Sequence, residues 1–263
     1  MSAILVDDRI VHYEVLGRGR PIIFLHGWVG SWRYWVPAMQ AAAMSFRAYA
    51  LDLWGFGDTA HDPAYYTLVQ QVDLVDRFMK EMGIGKVALV GHGLGALTAI
   101  LFAKKFPLVV DRLMAVNVPM DGNSVAARMR SPASPADLAD WLLGKDPITE
   151  PARTDANKAD PLAITTSFTS LNDTNIMPIM DSMATPCLIV HGQNDPAIHT
   201  LEYERFISMP VLVSQMVLEN SGHFPMLDES PRFNRLMTDF MGLDSGESPR
   251  ELLMKEDWKR RVR

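Results

Sequence analysis

The 263-residue chain is poor in cysteine and has no long apolar run. Cys187 is the single cysteine, which excludes an internal disulfide framework and gives no reason to place the protein in an oxidising compartment. No uncharged apolar stretch approaches the ~20 residues that span a bilayer, and the acidic Asp7 and Asp8 come too early for a signal peptide. We therefore expect a soluble, cytoplasmic protein with no membrane partner.

Positive charge is also scarce. The sequence has 25 lysines and arginines against 31 aspartates and glutamates, a formal net charge of −6. Binding to a nucleic-acid backbone requires a basic surface, so a nucleic-acid partner is excluded and a small-molecule substrate is favoured. The length and the hydrophobic content of 48% suit one globular domain with a sizeable core.

A third absence lies in the sequence Lys-Val-Ala-Leu-Val-Gly-His-Gly-Leu-Gly at residues 86–95. A short β-branched strand runs into a glycine-flanked turn and then a helical run, the pattern of a nucleophile elbow, G-x-Nuc-x-G. The middle residue of such a turn carries the attacking hydroxyl, thiol or carboxylate. Here the middle residue is Gly93, so the turn is present and the nucleophile is missing.

Short strand patterns alternate with helical patterns through most of the chain. An edge hairpin is predicted at 4–16, and buried strands are predicted at 21–25, 46–52, 86–92, 112–118, 187–190 and 215–218. Helices are predicted over 66–82, after the elbow, near 201–207 and at 231–241, the last capped by Ser230. This alternation predicts an α/β fold with a mostly parallel central sheet flanked by helices.

The periodicity weakens between residues 120 and 183, where proline, serine, aspartate and asparagine become frequent. This segment is predicted to be an insertion with short helices at 135–143, capped by Ser134, and at 162–171. Residues 244–263 form a C-terminal extension with a basic end around Trp258, which would dock on the domain or on a second subunit, or remain solvated. A homodimer is therefore one candidate for the oligomeric state.

Four motifs fall, in order, at the ends of predicted strands: 26–28 (His-Gly-Trp), 52–57 (Asp-Leu-Trp-Gly-Phe-Gly), the elbow at 91–95, and His223 between Gly222 and Pro225. In order and spacing they resemble the α/β-hydrolase fold family, in particular its single-domain, cap-bearing, esterase- and lactonase-like members. The resemblance covers about residues 4–241. It implies an α/β-hydrolase core over 1–119 and 184–243, a helical cap over 120–183 between strands 6 and 7, and neither a cofactor nor a metal.

The family order of nucleophile, acid and histidine is met by position 93, Asp195 and His223. A serine-type triad needs a base whose tautomer is fixed by a carboxylate, and His223 with Asp195 supplies that pair of groups. Two further loop carboxylates, Asp52 and Asp121, compete for the role of the acid. The remaining histidines near the motifs, His26 and His92, are predicted to be structural.

The oxyanion hole is predicted to use the backbone N–H groups of Trp28 and Leu94, which do not depend on the side chain at position 93. Aromatic and methionine side chains near the predicted mouth favour a small apolar or aromatic ester-like substrate. The predicted substrate-binding residues are Trp28, Trp54, Trp141, Met177, Met180 and Phe224. The alternative is that most of these side chains form the core of the cap.

Three interpretations of Gly93 stay open at this point. In the first, the chain is a hydrolase of a carboxylic ester or related acyl substrate whose nucleophile is replaced, so that this form is inactive or strongly impaired as a serine hydrolase. In the second, the reaction needs no nucleophile, and His223 with Asp195 acts as a general base, as in a lyase or a cofactor-free oxygenase. In the third, the chain is a pseudoenzyme that binds a small molecule without turnover.

Overall fold

The computed structural model describes residues 2–131, 134–201 and 203–254. Within these ranges eight strands form one sheet in the order β1-β2-β4-β3-β5-β6-β7-β8. The strands are β1 Ser2–Val6, β2 Arg9–Gly17, β3 Arg20–Leu25, β4 Phe46–Leu51, β5 Val87–His92, β6 Val110–Val116, β7 Cys187–Gly192 and β8 Val213–Leu218. Only β1 and β2 run antiparallel to their neighbours, so the predicted edge hairpin and the mostly parallel sheet are confirmed.

The parallel strands are covered on both faces. In β3 the four residues from Ile22 to Leu25 are fully buried, as their continuous apolar sequence predicts. The helices are α1 Val36–Ala42, α2 Leu68–Glu81, α3 Leu94–Lys105, α4 Ala127–Arg130, α5 Pro135–Leu142, α6 Glu150–Ala156, α7 Pro161–Asn172, α8 Met177–Asp181, α9 Tyr203–Ile207, α10 Pro225–Asp228, α11 Ser230–Met241 and α12 Arg250–Met254. Helix α3 packs on β5 and β6, and α1 packs against α11.

The strand order places five loops side by side at one edge of the sheet. Strands β3, β5, β6, β7 and β8 are parallel neighbours, so the turns after their carboxyl ends meet there. Four of these turns begin at His26, Gly93, Asn117 and Gln193, and the loop after β8 leads to His223. Four of the five carry predicted site residues, whereas the loop that begins at Asn117 was not singled out.

The segment from residue 120 to 183 contains helices α4 to α8, and we refer to it as the helical insert. Ser134 caps α5 as predicted, its hydroxyl accepting from the backbone N–H of Asp137 at 3.1 Å. The division into a core and a cap stays a prediction. The basic end of the tail around Trp258 lies outside the described residues.

Two details of the helix predictions are wrong. Helix α11 begins at Ser230 itself, preceded by Glu229, so Ser230 does not cap it. The sequence also missed α1 and α6, which are short helices whose burial depends on distant partners: α1 packs against α11, and α6 against the turn at 32–35. Among the described residues, none of the helices combines the length and the apolar character needed to cross a bilayer.

Candidate active site

The turn between β5 and α3 has the strained geometry of a nucleophile elbow. Gly93 adopts φ +49° and ψ −109°, a conformation that L side chains rarely enter. Its flanking glycines permit close backbone approach, since a Cβ at Gly91 would lie 2.3 Å from the carbonyl oxygen of Gly95. A Cβ at Gly95 would lie 2.2 Å from that of Leu25. Three glycines are therefore required by the turn itself.

The indole of Trp28 covers Gly93. A Cβ at position 93 would lie 3.0 and 3.1 Å from two carbons of that ring. The ring is held by the helical insert: it stacks on Phe168 of α7 with centroids 4.4 Å apart, and its Nε1 donates to Oγ of Ser167 at 2.8 Å. The turn that lacks a nucleophile is therefore packed closely against a side chain fastened to the insert.

His223 and Asp195 form a buried pair. Nδ1 of His223 lies 2.9 Å from Oδ2 and 3.1 Å from Oδ1 of Asp195, whose Oδ1 also accepts from the backbone N–H of Ala197 at 2.7 Å. Burial opposes the charged carboxylate, but the His223 imidazole and that N–H hold the pKa of Asp195 below its ordinary value. The carboxylate fixes the proton on Nδ1, which leaves Nε2 of His223 as an acceptor.

That acceptor is buried, and no hydrogen-bond partner is found for it among the described residues. The His223 ring lies beside the elbow, 4.7 Å from the ring of His92, which directly precedes Gly93. Burial and the charge that His223 would carry lower the pKa of His92 well below its ordinary value. His92 is therefore neutral, and its Nδ1 contacts the hydroxyl of Tyr34 at 3.0 Å.

His26 also remains neutral and fastens two loops together. Its Nε2 accepts from the backbone N–H of Leu53 at 2.9 Å, so Nδ1 carries the proton and contacts the Gly27 carbonyl oxygen at 2.8 Å. Burial lowers the pKa of His26. These contacts fit the structural role predicted for it.

Neither competing carboxylate approaches His223. Asp52 pairs with His12, whose Nδ1 lies 2.9 Å from its Oδ2, and Asp121 is exposed and caps a single turn by accepting from the Ser124 N–H at 2.8 Å. Asp195 is thus the carboxylate that the fold brings to the histidine.

The predicted oxyanion donors flank Gly93. Leu94 is the first residue of α3, so its N–H has no acceptor within the helix and points along the positive end of the helix dipole. Trp28 lies in the loop after β3, and the ring contact above brings this loop to the elbow. Their role as oxyanion donors stays a prediction.

The structure places the predicted substrate-binding residues in different surroundings. Met180, Trp54 and Phe224 are buried, while Trp141 and Met177 are half-buried. Phe224 packs against His92 with centroids 5.0 Å apart, and Trp54 packs against Tyr65 at 5.1 Å. Of the six residues, Trp28 and Phe224 contact the elbow and the His223 loop directly. A substrate contact for any of them remains a prediction.

Sequence reasoning missed Asn117 and Ser167. Asn117 follows β6 directly and bonds the loops of both Asp195 and His223, a polar residue at a strand end like those that were singled out. Ser167 holds the Trp28 indole from α7. No local signal marks Ser167, because its partner lies 139 residues away.

Among the described residues one group has the composition of a metal site, His12, Asp52 and Asp58, with candidate ligand atoms within 4.8 Å of one another. These atoms already bond within the protein. Asp52 accepts from the backbone N–H of Asp58 at 3.0 Å, and Asp58 accepts from Nζ of Lys158 at 2.9 Å. The group is accounted for as a hydrogen-bonded cluster.

Comparison with protein families agrees with this geometry. The model of the alpha/beta hydrolase family matches residues 22–236, most of the chain and every loop described above. The chain belongs to the α/β-hydrolase family. This is a family of enzymes, and its relatives and structural neighbours include hydrolases of several kinds.

Three of the similar proteins illustrate the range. A putative carbamate hydrolase, RutD of Yersinia enterocolitica, is 23% identical over 94% of this chain and 97% of its own. The solved structure of a hydrolase from Pseudomonas aeruginosa has a TM-score of 0.80 at 18% identity, covering 92% of this chain and 98% of its own. The third is a serine-to-glycine mutant of the N-acyl homoserine lactonase AidH bound to N-hexanoyl homoserine lactone, with a TM-score of 0.78, 20% identity and coverage of 91% and 96%.

Proposed function

We propose that this α/β-hydrolase acts on a carboxylic ester or related acyl substrate, with a site complete except for the nucleophile. His223 is the general base, Asp195 fixes its tautomer, and the N–H groups of Trp28 and Leu94 receive the developing oxyanion. With Gly93 at the elbow, the chain is strongly impaired as a serine-type hydrolase. The acyl class is supported by the carbamate hydrolase and lactonase among the similar proteins.

The observation that carries this proposal is the buried acceptor of His223. Its Nδ1 is bonded to Asp195 at 2.9 Å, while its Nε2 is buried beside the elbow without a partner among the described residues. An unsatisfied buried acceptor is costly, so a purely structural histidine would be expected to find a donor. A base aimed at a reacting hydroxyl has this arrangement before its substrate binds.

One observation favours the second function, in which His223 and Asp195 act as a base without a protein nucleophile. The Trp28 ring lies where a side chain at position 93 would need room, 3.0 Å from its Cβ. A site packed so closely around glycine is the site expected if glycine is the working residue. In that case His223 takes a proton directly from the substrate or from a bound water.

The third function, binding without turnover, rests on the same missing side chain. It predicts that a ligand raises the melting temperature and continues to do so after His223→Ala, with no product formed from a panel of esters and lactones. Any substrate that the protein consumes and that His223→Ala protects rules it out.

The test of the leading proposal is Gly93→Ser, with Gly93→Ala as the matched control. Both variants carry the same Cβ and the same backbone strain, but only serine supplies a hydroxyl. We expect Gly93→Ser to hydrolyse 4-nitrophenyl acetate and to be labelled by a serine-directed fluorophosphonate, while Gly93→Ala does neither. A folded Gly93→Ser protein without activity and without labelling would contradict the acyl-hydrolase proposal.

The same variants test the base-only function. If that function is correct, a substrate consumed by the chain with Gly93 is lost on His223→Ala and is turned over no faster by Gly93→Ser. Faster turnover by Gly93→Ser of that same substrate would contradict it.

A further inference from the structure

Asn117 lies between the loop of Asp195 and the loop of His223. It follows β6 directly, and its backbone N–H donates to the carbonyl oxygen of Val190 at 2.9 Å, extending the pairing of β6 with β7. It is fully buried and has φ +44°, a left-handed conformation that is uncommon outside glycine and that asparagine tolerates better than most residues.

The amide of Asn117 bonds both loops at once. Oδ1 accepts from the backbone N–H of Gly192 at 2.9 Å, three residues before Asp195. Nδ2 donates to the carbonyl oxygens of Gly222 at 3.1 Å and His223 at 2.9 Å. Both amide hydrogens and the amide oxygen are used, and the opposite orientation of the amide would place like groups together.

The two loops that this amide joins are in direct contact. The backbone N–H of Asn194 donates to the carbonyl oxygen of Ser221 at 2.9 Å, and a Cβ at Gly192 would lie 2.0 Å from that of Gly222. With so little clearance, a shift of either loop moves the carboxylate relative to the imidazole.

We propose that Asn117 is a positioning residue that holds Asp195 and His223 in register. The inference rests on the proposed roles of those two residues. Asn117 touches neither reacting group; it acts through the backbone that carries them. No smaller polar side chain replaces it, because serine and threonine have one hydroxyl for three partners, and aspartate lacks the two donors.

The first test observes the pair without any substrate. The protein is labelled with 15N in histidine only, and the proton on Nδ1 of His223 is followed by NMR. A proton held between an imidazole and a carboxylate resonates far downfield and exchanges slowly with water, and its assignment is fixed by its loss in His223→Gln and in Asp195→Asn. We expect Asn117→Gly to broaden or abolish this resonance, although glycine accepts the left-handed backbone.

The second test uses the Gly93→Ser protein and 4-nitrophenyl acetate. A displacement of about 1 Å in a catalytic group costs on the order of 10²-fold in rate, so Asn117→Gly should lower kcat by that factor while KM changes by less than about twofold. Asn117→Ser, which keeps one hydroxyl, should fall between the two and serves if the glycine variant does not fold.

The matched control lies at the other end of the same strand. Arg112 is buried in β6 and donates to the carbonyl oxygens of Phe240 at 2.8 Å and Asp244 at 2.9 Å, so it also joins distant backbone segments. Arg112→Lys should lower the melting temperature and leave both the His223 resonance and kcat unchanged.

The outcomes are distinguishable. If the downfield resonance depends on Asp195 and persists unchanged in folded Asn117→Gly, the role of Asn117 is overturned while the pair stands. If no resonance of the unmodified protein depends on Asp195, the pair is overturned and the positioning role with it. Equal loss of kcat in Arg112→Lys and Asn117→Gly would reduce Asn117 to a general contribution to stability.

Discussion

The chain contains two buried histidine–aspartate pairs with the same distance between partners. Nδ1 of His223 lies 2.9 Å from Oδ2 of Asp195, and Nδ1 of His12 lies 2.9 Å from Oδ2 of Asp52. Both imidazoles are almost fully buried. The distance between carboxylate and imidazole therefore does not distinguish a candidate catalytic base from a structural ion pair.

The second nitrogen of each ring differs. Nε2 of His12 lies 3.5 Å from Oε1 of Glu14, so this ring sits between two carboxylates. Burial disfavours a charged imidazole there, but the hydrogen bond and negative charge of Asp52 outweigh it and raise the pKa of His12. Nε2 of His223 instead adjoins the elbow and has no partner among the described residues.

The scaffold around the aspartates differs as well. Asp52 accepts from the backbone N–H groups of Trp32 at 2.8 Å and Asp58 at 3.0 Å, so it fastens two loops to the end of β4. Asp195 has its loop fastened by Asn117 instead. A charged ring between two carboxylates holds the fold, whereas a ring with one carboxylate and one unpaired acceptor is prepared to take a proton.

The largest expected effect separates the two histidines by activity. In the Gly93→Ser protein, His223→Ala should lower kcat for 4-nitrophenyl acetate by ~10⁴-fold or more, because the serine hydroxyl loses its base. His12→Gln should leave kcat near that of its parent. Steady-state kinetics of the two variants, with circular dichroism to confirm folding, provides the measurement.

A large loss of kcat in His12→Gln at unchanged stability would contradict the comparison, since it would give both pairs a part in the reaction. Residual hydrolysis in His223→Ala would not, because an oxyanion hole and a pocket alone leave ~10³-fold to 10⁴-fold acceleration over water.

The next effect separates the two aspartates by stability. Asp52→Asn places an amide where the carboxylate accepts from His12, Trp32 and Asp58, and breaking such a buried pair costs ~3 kcal/mol. The free energy of unfolding in urea, measured at neutral pH, should fall by about that amount. A loss below ~1 kcal/mol would mean that Asp52 contributes little to holding its two loops.

The sequence predicted the parts of this site that local patterns mark. Continuous apolar runs marked the buried strands, and each special segment followed one of them, as in the elbow at 91–95 after β5. The bond between Asp195 and His223 was predicted only by resemblance to a family, because 28 residues separate them.

The parts that escaped prediction depend on contacts between distant residues. Asn117 reaches Gly192 across 75 positions and His223 across 106, and no pattern within β6 announces those bonds. The same holds for His12 and Asp52, which meet because β2 and β4 are neighbours in the sheet. Strand order, which single-sequence patterns do not determine, decides which polar side chains become partners.

A smaller effect tests how closely the site around His223 is packed on Gly93. Gly93→Ala puts a Cβ at φ +49° and 3.0 Å from the Trp28 ring, and strain of this kind costs ~1 to 3 kcal/mol. Chemical denaturation should show that loss. Combining Gly93→Ala with Trp28→Phe should recover part of it, because a smaller ring relieves the contact; equal losses in the single and double variants would leave backbone strain as the whole cost.

The smallest effect is the dependence of stability on pH that His12 should impose. The pKa of His12 is higher in the folded protein than the ~6.5 of an unfolded chain, so the folded state holds this proton more tightly. The stabilising contribution is therefore complete below about pH 6.5 and disappears as the pH rises through the raised folded value. His12→Gln should cost ~1 kcal/mol more at about pH 5.5 than at about pH 8.5.

His92→Gln should give the opposite trend. The pKa of His92 is lowered by burial and by the charge His223 would carry, so its neutral ring loses its contribution as the pH falls below about 6.5. The difference in unfolding free energy between parent and variant should therefore shrink toward acid for His92 and grow toward acid for His12. The same trend in both variants would show that His12 is held neutral, which would remove the charge that sets its pair apart from the pair of His223.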